Sequence, residues 1–141
     1  MIRQSKYFYI LNICIPLLIG GVVYYICCPD VYFAEQFDEL TGINFHINIE
    51  KSVYGIRLLR FYFFDVLWAY SLTFAVVLVI GHEYRLSVLF GVIALFEAAM
   101  ELLQLIPGVL GSFDIFDILL EAVTSVVVIF ICIGRRKYEK S

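Results

Sequence analysis

The chain has 141 residues, of which 62% are hydrophobic and 16% are charged, and its mean hydropathy is +0.92. This composition excludes an ordinary soluble domain and predicts a single integral membrane domain over residues 1–141. The formal net charge is -3, and the basic residues lie mostly at the ends of apolar segments instead of forming an exposed stripe. Nucleic acid is therefore excluded as a partner, and membrane lipids are expected.

Four apolar segments have the roughly 20 residues that a helix needs to cross a hydrocarbon core of about 30 Å. We interpret the first as a retained helix, because its apolar run is longer than that of a signal peptide and no small-x-small cleavage site follows. Pro107 and Gly108 end the third segment. The predicted fold is an all-α membrane protein with four transmembrane helices, at residues 6–28, 61–80, 86–106 and 114–133.

The distribution of lysine and arginine predicts the orientation of these helices. If both termini and the 81–85 turn lie on one side of the membrane, that side carries every Lys and Arg except Lys51, Arg57 and Arg60. The positive-inside rule then places both termini in the cytoplasm of a multi-pass cell-membrane protein. One extracytoplasmic loop of about 30 residues, at 29–60, lies on the other side.

This outer loop is acidic in its first part and has little predicted secondary structure. Phe45, Ile47 and Ile49 alternate with polar residues, which suits a short strand or a segment at the membrane interface. His46 is interpreted as a solvated loop residue instead of a metal ligand, because no second histidine or cysteine accompanies it.

Acidic residues inside the apolar segments form the candidate site. The last two segments each carry three polar residues at helical spacing: Glu97, Glu101 and Gln104 on the third, and Asp114, Asp117 and Glu121 on the fourth. Because helices joined by a short turn are antiparallel neighbours, we expect the two stripes to face each other in an acidic pocket. A rise of about 1.5 Å per residue places the pocket in the outer half of the membrane.

The second segment extends this pocket. Asp65 lies one turn inside it, Trp68 follows, and Arg57 and Arg60 precede it as the cations available to the carboxylates. Alternatively, the two arginines pair with Asp65, Asp114 and Asp117 and only tie helix ends together. This alternative explains the deeper Glu97, Glu101 and Glu121 less well. The candidate ligand-binding residues are Arg57, Arg60, Asp65, Trp68, Glu97, Glu101, Gln104, Asp114, Asp117 and Glu121.

Two stretches resemble the VanZ-like family of small bacterial integral membrane proteins. In ELLQLIPGVLGSFDIFDILLEAVTS, an E-x-x-Q helix is followed by an F-D-x-x-D helix start, and RFYFFDVLWAYSL resembles an R-x-Y-x-x-D-x-L-W stretch. The matching residues are Glu101, Gln104, Phe113, Asp114 and Asp117, and Arg60, Tyr62, Asp65, Leu67 and Trp68. The chain departs from the pattern at Ser112, where the family usually has arginine or a similar residue, and at Glu121, which replaces part of a later Asn-x-x-Gly.

The resemblance implies action at the cell envelope and a link to glycopeptide resistance, but it does not define a reaction. The first hypothesis is therefore a site that binds or processes an envelope lipid or polar headgroup, with carboxylates acting through protons or a divalent cation. The alternative is a non-enzymatic scaffold or partner of another membrane protein, in which polar residues hold helices together. Ion transport is favoured least, because few polar residues continue toward the cytoplasm. No nucleophile stands beside a base, so the sequence leaves enzymatic activity open.

Overall fold

The computed structural model describes residues 2–27, 32–47, 62–80, 85–106 and 114–140 of the chain. Every regular element within these ranges is a helix. In chain order the helices are α1 (Ile2–Cys27), α2 (Tyr32–Thr41), α3 (Phe64–Ile80), α4 (Leu86–Leu103) and α5 (Ile115–Lys140).

Three of these helices are long and apolar enough to cross a membrane, over Lys6–Cys27, Leu86–Leu103 and Ile115–Arg135. Helix α3 is also apolar but has 17 residues. Large apolar side chains cover the outside of the bundle, where Leu95 and Phe130 are 70% and 67% exposed. Apolar surface of this extent is consistent with a multi-pass membrane protein, because lipid can solvate it and water cannot.

Helix α3 lies at the centre of the bundle and packs against α1, α4 and α5. Its apolar side chains are distributed around the whole circumference, as expected of a helix that is surrounded by protein. Its buried residues are Ala69, Ser71, Thr73, Phe74, Val76 and Val77. Helices α4 and α5 also pack against each other, as predicted for the last two segments. The sequence did not indicate, however, that the shortest apolar helix is the one that contacts all the others.

The helix boundaries differ from the prediction mainly at the ends. Helix α5 continues to Lys140, well beyond residue 133, because its last residues are polar but still good helix formers. Helix α4 ends at Leu103 instead of residue 106. Its last turn tightens, since the backbone N–H of Gln104 and that of Ile106 each bond the carbonyl three residues earlier, at 3.1 Å. The predicted turns at 81–84 and 107–113 lie outside the described residues.

Helix α1 is joined to α3 by a partly buried hydrogen bond and by aromatic packing. The Tyr70 hydroxyl donates a hydrogen bond of 2.5 Å to Asn12 Oδ1. The Phe74 ring packs edge-on against Phe8 and Tyr9, with centroids 5.7 and 5.9 Å apart. Between the two helices, beside Trp68, runs an apolar groove of about 340 Å³.

The outer loop contains a helix that the sequence did not predict. Helix α2 is followed by an irregular segment at 42–47 instead of a strand, while Ile49 lies outside the described residues. The segment is tied to the end of α1 by a backbone bond from Ile47 N to Ile26 O, of 3.1 Å. The alternation at Phe45 and Ile47 therefore does not produce a strand.

His46 is not the solvated loop residue that the sequence predicted. Its Nε2 lies 2.6 Å from Asp38 Oδ2, its Nδ1 lies 3.0 Å from the Tyr25 carbonyl oxygen, and the side chain is 13% exposed. Both partners are acceptors, so both ring nitrogens donate and the imidazole is protonated in this arrangement. The bond to Asp38 raises the pKa of His46, and the bonds from the Tyr25 hydroxyl and from His46 lower the pKa of Asp38.

Candidate acidic site

The interior of the bundle changes from hydrocarbon to carboxyl groups along the helices. At one end lies an apolar core, formed by Tyr9, Phe74, Val76, Val77, Leu89, Ile93, Val128, Ile129 and Cys132. At the other end lie five acidic residues that we call the acidic cluster: Asp65 from α3, Glu97 and Glu101 from α4, and Asp117 and Glu121 from α5. Three helices therefore contribute to one site.

On α4 and on α5, one buried face of the helix contributes residues both to the apolar core and to the acidic cluster. On α4, Leu89 and Ile93 are followed at four-residue intervals by Glu97 and Glu101, and all four side chains are buried. On α5 the buried stripe runs in the opposite direction, from Glu121 through Ser125 to Val128 and Cys132. Because the two helices are antiparallel, their acidic ends meet. The prediction that the two polar stripes face each other agrees with this arrangement.

Glu121 is the central residue of the acidic cluster. It is 3% exposed, and its charge interacts with those of Asp65, Glu97, Glu101 and Asp117. Its Oε2 atom is buried and has no hydrogen-bond partner among the described residues. A buried carboxyl oxygen without a partner loses its hydration and gains nothing in return, so this atom marks where the site is incomplete.

Glu97 is satisfied by a chain of buried hydroxyl groups that joins all three helices. Ser125 on α5 donates a hydrogen bond of 2.6 Å to Glu97 Oε1. The Thr73 hydroxyl on α3 shares its one hydrogen between two acceptors, Ser125 Oγ at 2.8 Å and the Ala69 carbonyl oxygen of its own helix at 2.7 Å. Interhelical bonds of this kind hold helices together where lipid offers no alternative partner. Glu97 thus contributes to the packing of the bundle.

Glu101 connects the end of α4 to the start of α5. Its Oε1 accepts a bond of 2.9 Å from Gln104 Nε2, and its Oε2 accepts one of 3.4 Å from the Asp114 backbone N–H. Asp114 is the N-cap of α5, because its Oδ1 accepts a bond of 2.9 Å from Phe116 N. Asp117 lies in the first turn of α5, where the helix dipole favours a negative charge. Gln104 and Asp114 therefore stabilise helix ends. The alternative interpretation, in which Arg57 and Arg60 pair with the interfacial acids, stays a prediction, because both arginines lie outside the described residues.

The remaining predicted residues do not join the acidic cluster in the described part of the chain. Trp68 is 37% exposed and lines the groove between α1 and α3, together with Tyr24 and Leu67. It follows Asp65 by three residues, so the two side chains point about 60° apart around the helix axis. Arg57 and Arg60 lie outside the described residues.

The sequence had also left open a divalent cation. Among the described residues, no group of three or more His, Cys, Asp or Glu side chains is placed to hold a metal ion. The acidic cluster is thus a set of neighbouring charges and not a preformed coordination shell.

Thr73 and Ser125 are the site residues that sequence reasoning missed. Each continues an acidic stripe, since Ser125 follows Glu121 by four residues and Thr73 follows Asp65 by eight. Extending the helical stripes past the carboxylates would have found both. No protein-family model, curated protein or solved structure matches this chain. The acidic cluster is therefore interpreted from its own geometry.

Proposed function

We propose that the chain is a VanZ-like membrane protein of the cell envelope that binds the polar headgroup of a lipid at the acidic cluster. In this proposal α1, α3, α4 and α5 all span the membrane, both termini are cytoplasmic, and the cluster lies in the outer leaflet. The observation that carries the proposal is the unpartnered Oε2 of Glu121, buried among four other carboxyl groups. Ionisable residues inside a membrane usually pair with one another or with backbone carbonyl groups and mark functional sites, so a buried carboxyl oxygen without a partner supports a binding site here.

The packing of α3 supports a four-span topology. This helix is 17 residues long, but it contacts each of the three longer apolar helices and carries a buried stripe from Ala69 to Val77. A helix surrounded by three membrane-spanning helices lies in the same layer as they do. Its length of roughly 26 Å, from a rise of about 1.5 Å per residue, is close to a hydrocarbon core of about 30 Å.

Retained lipids provide the direct test. The full chain, purified in a mild detergent, would be examined by native mass spectrometry as the wild type and as Glu121→Gln and Asp117→Asn. We expect a lipid bound to the wild type at defined stoichiometry, and a loss of that lipid from both variants.

Exposed Glu35 on α2 provides the matched control, because Glu35→Gln makes the same chemical change outside the bundle. Equal lipid retention by the wild type and by both cluster variants would contradict the proposal. In cells, the same variants would be scored for protein level and for glycopeptide sensitivity. Normal levels with altered sensitivity would support the envelope function and the link to glycopeptide resistance.

A scaffold function is the second candidate, and the Thr73–Ser125–Glu97 chain favours it. These residues join α3, α4 and α5, as expected of polar residues that stabilise a subunit. The scaffold proposal predicts that Glu97→Ala and Ser125→Ala lower the protein level or abolish assembly with a membrane protein partner. It also predicts that Glu121→Gln leaves both unchanged, so the two variants distinguish the candidates.

A further inference from the structure

We propose that the acidic cluster binds a primary ammonium group, carried either by the headgroup of an amino lipid or by a free amine. This inference rests on the proposed function and adds the chemical class of the headgroup.

The acidic cluster consists of five carboxyl groups, whose oxygens accept hydrogen bonds. Glu121 Oε2 is buried without a partner, and its nearest charged neighbours are further carboxyl groups. The basic side chains that the structure describes lie elsewhere. Arg85 immediately precedes α4 at the end opposite to Glu101, and Arg135 lies 3.8 Å over the Phe8 ring beside the apolar core. A ligand that satisfies Glu121 Oε2 therefore donates a hydrogen bond to it, and a positively charged donor also matches the carboxyl groups around it.

A primary ammonium meets this requirement better than the other common cations. It carries three N–H donors, no acceptor and a compact charge, so it can bond Glu121 Oε2 and a second carboxylate together. A quaternary ammonium has no N–H and would leave Oε2 unbonded. A divalent metal needs several converging oxygen ligands, and the described residues provide no group of three acidic, histidine or cysteine side chains arranged for one.

An apolar groove lies close to the acidic cluster along α3. Asp65 is the cluster residue on α3, and Trp68, one turn further on, lines the apolar groove between α1 and α3. A hydrocarbon chain in this groove would therefore lie within one helical turn of a headgroup at Asp65.

The single tryptophan of the chain makes the proposal measurable, because Trp68 lies three residues from Asp65 and is partly exposed. The full chain would be placed in nanodiscs of phosphatidylglycerol, and Trp68 fluorescence would be followed during titration with ethylammonium, tetramethylammonium or Mg²⁺. A second arm would replace part of the lipid by phosphatidylethanolamine or by phosphatidylcholine.

We expect a saturable fluorescence change with ethylammonium or with phosphatidylethanolamine, and none with the other additions. A response to the lipid alone identifies an amino lipid, and a response to ethylammonium alone identifies a free amine. In Glu121→Gln and Asp65→Asn the apparent affinity should fall about tenfold, the value of one charge-assisted hydrogen bond. The exposed variant Glu35→Gln should respond like the wild type. Should Glu121→Gln fail to fold, judged by its helical circular dichroism, Asp65→Asn carries the test.

Equal responses to tetramethylammonium or Mg²⁺ would overturn the ammonium proposal, and so would a response that both cluster variants retain. If the lipids retained in a Glu121-dependent manner carry no amine, the ammonium inference fails while the proposed lipid-binding function stands. If neither lipid retention nor fluorescence depends on Glu121 or Asp65, both proposals fail.

Discussion

At one end of the bundle interior the buried side chains are hydrocarbon, and at the other end they are carboxyl groups. Phe74, Ile93 and Val128 in the apolar core are at most 1% exposed, and Glu97, Glu101 and Glu121 in the acidic cluster are at most 4% exposed. Packing alone satisfies the first group. The second group needs hydrogen-bond partners, and one of its atoms has none among the described residues. Equal burial therefore leaves the apolar side chains fully packed at one end and one carboxyl oxygen without a described hydrogen-bond partner at the other.

The largest expected effect tests the apolar core. Phe74→Ala should lower the free energy of unfolding by about 3 kcal/mol, the low end for Phe→Ala in cores. The variant loses packing contacts, but inside a membrane it loses no free energy of transfer from water. Reversible unfolding of the purified protein in mixed micelles measures the change. Leu95→Ala on the exposed surface is the control and should change little. Equal losses from the two variants would contradict the placement of the apolar core.

A substitution in the acidic cluster should instead raise the free energy of unfolding. Glu121→Leu removes a buried oxygen that has no partner in the described structure, so it should stabilise the fold by about 1 kcal/mol. It should also abolish lipid retention. The same unfolding assay and native mass spectrometry measure both effects. A variant that unfolds more easily than the wild type would show that Glu121 is satisfied in the membrane and would weaken the comparison between the two ends.

The hydroxyl chain between the two ends should show a smaller, coupled effect. Thr73→Val and Ser125→Ala, alone and together, form a double-mutant cycle across α3 and α5. We expect a coupling energy of about 0.6 kcal/mol, the average for interhelical hydrogen bonds in membranes. Thr124→Val is a suitable control partner for Thr73→Val, because the Thr124 hydroxyl bonds only its own helix, at Leu120 O. Strict additivity for Thr73 and Ser125 would exclude the chain as a link between helices.

The smallest expected effect concerns the Asp38–His46 pair. Asp38 has hydrogen-bond partners, whereas Glu121 Oε2 in the acidic cluster has none among the described residues. His46 has a raised pKa, so its contribution is complete below pH 6.5 and is lost as the pH rises through the raised value. Asp38 has a lowered pKa, so its contribution is present above pH 3.8 and is lost as the pH falls through the lowered value. The 42–47 segment should therefore be held most firmly between pH 3.8 and 6.5.

Hydrogen exchange measures this effect at the Ile47 amide, which bonds the Ile26 carbonyl. After correction for the intrinsic rate, its protection should decrease above pH 6.5 in the wild type. In His46→Gln the protection should be lower and independent of pH in this range. Constant protection of the wild type from pH 5 to pH 9 would show that the imidazole bond does not hold the segment.

The sequence by itself determined the class of the protein and the faces of its last two segments. Apolar runs of nearly 20 residues require helices in a membrane, and the spacing of Glu97 with Glu101 and of Asp117 with Glu121 predicts one polar face on each helix. These are local properties of the chain, since helical periodicity is independent of the rest of the fold. The family resemblance and the orientation remain predictions.

Only the tertiary structure decided which residues meet. It placed α3 at the centre, brought Thr73 and Ser125 to Glu97, and gave His46 two acceptors from separate helical segments. It also showed that Asp114 caps a helix, whereas Glu121 lies buried with an unpartnered oxygen in the described structure. A sequence gives each carboxyl group the same chemistry. The role of each carboxyl group depends on the hydrogen-bond donors within about 3 Å of it. Those donors are brought there by the packing of helices that are distant in the chain.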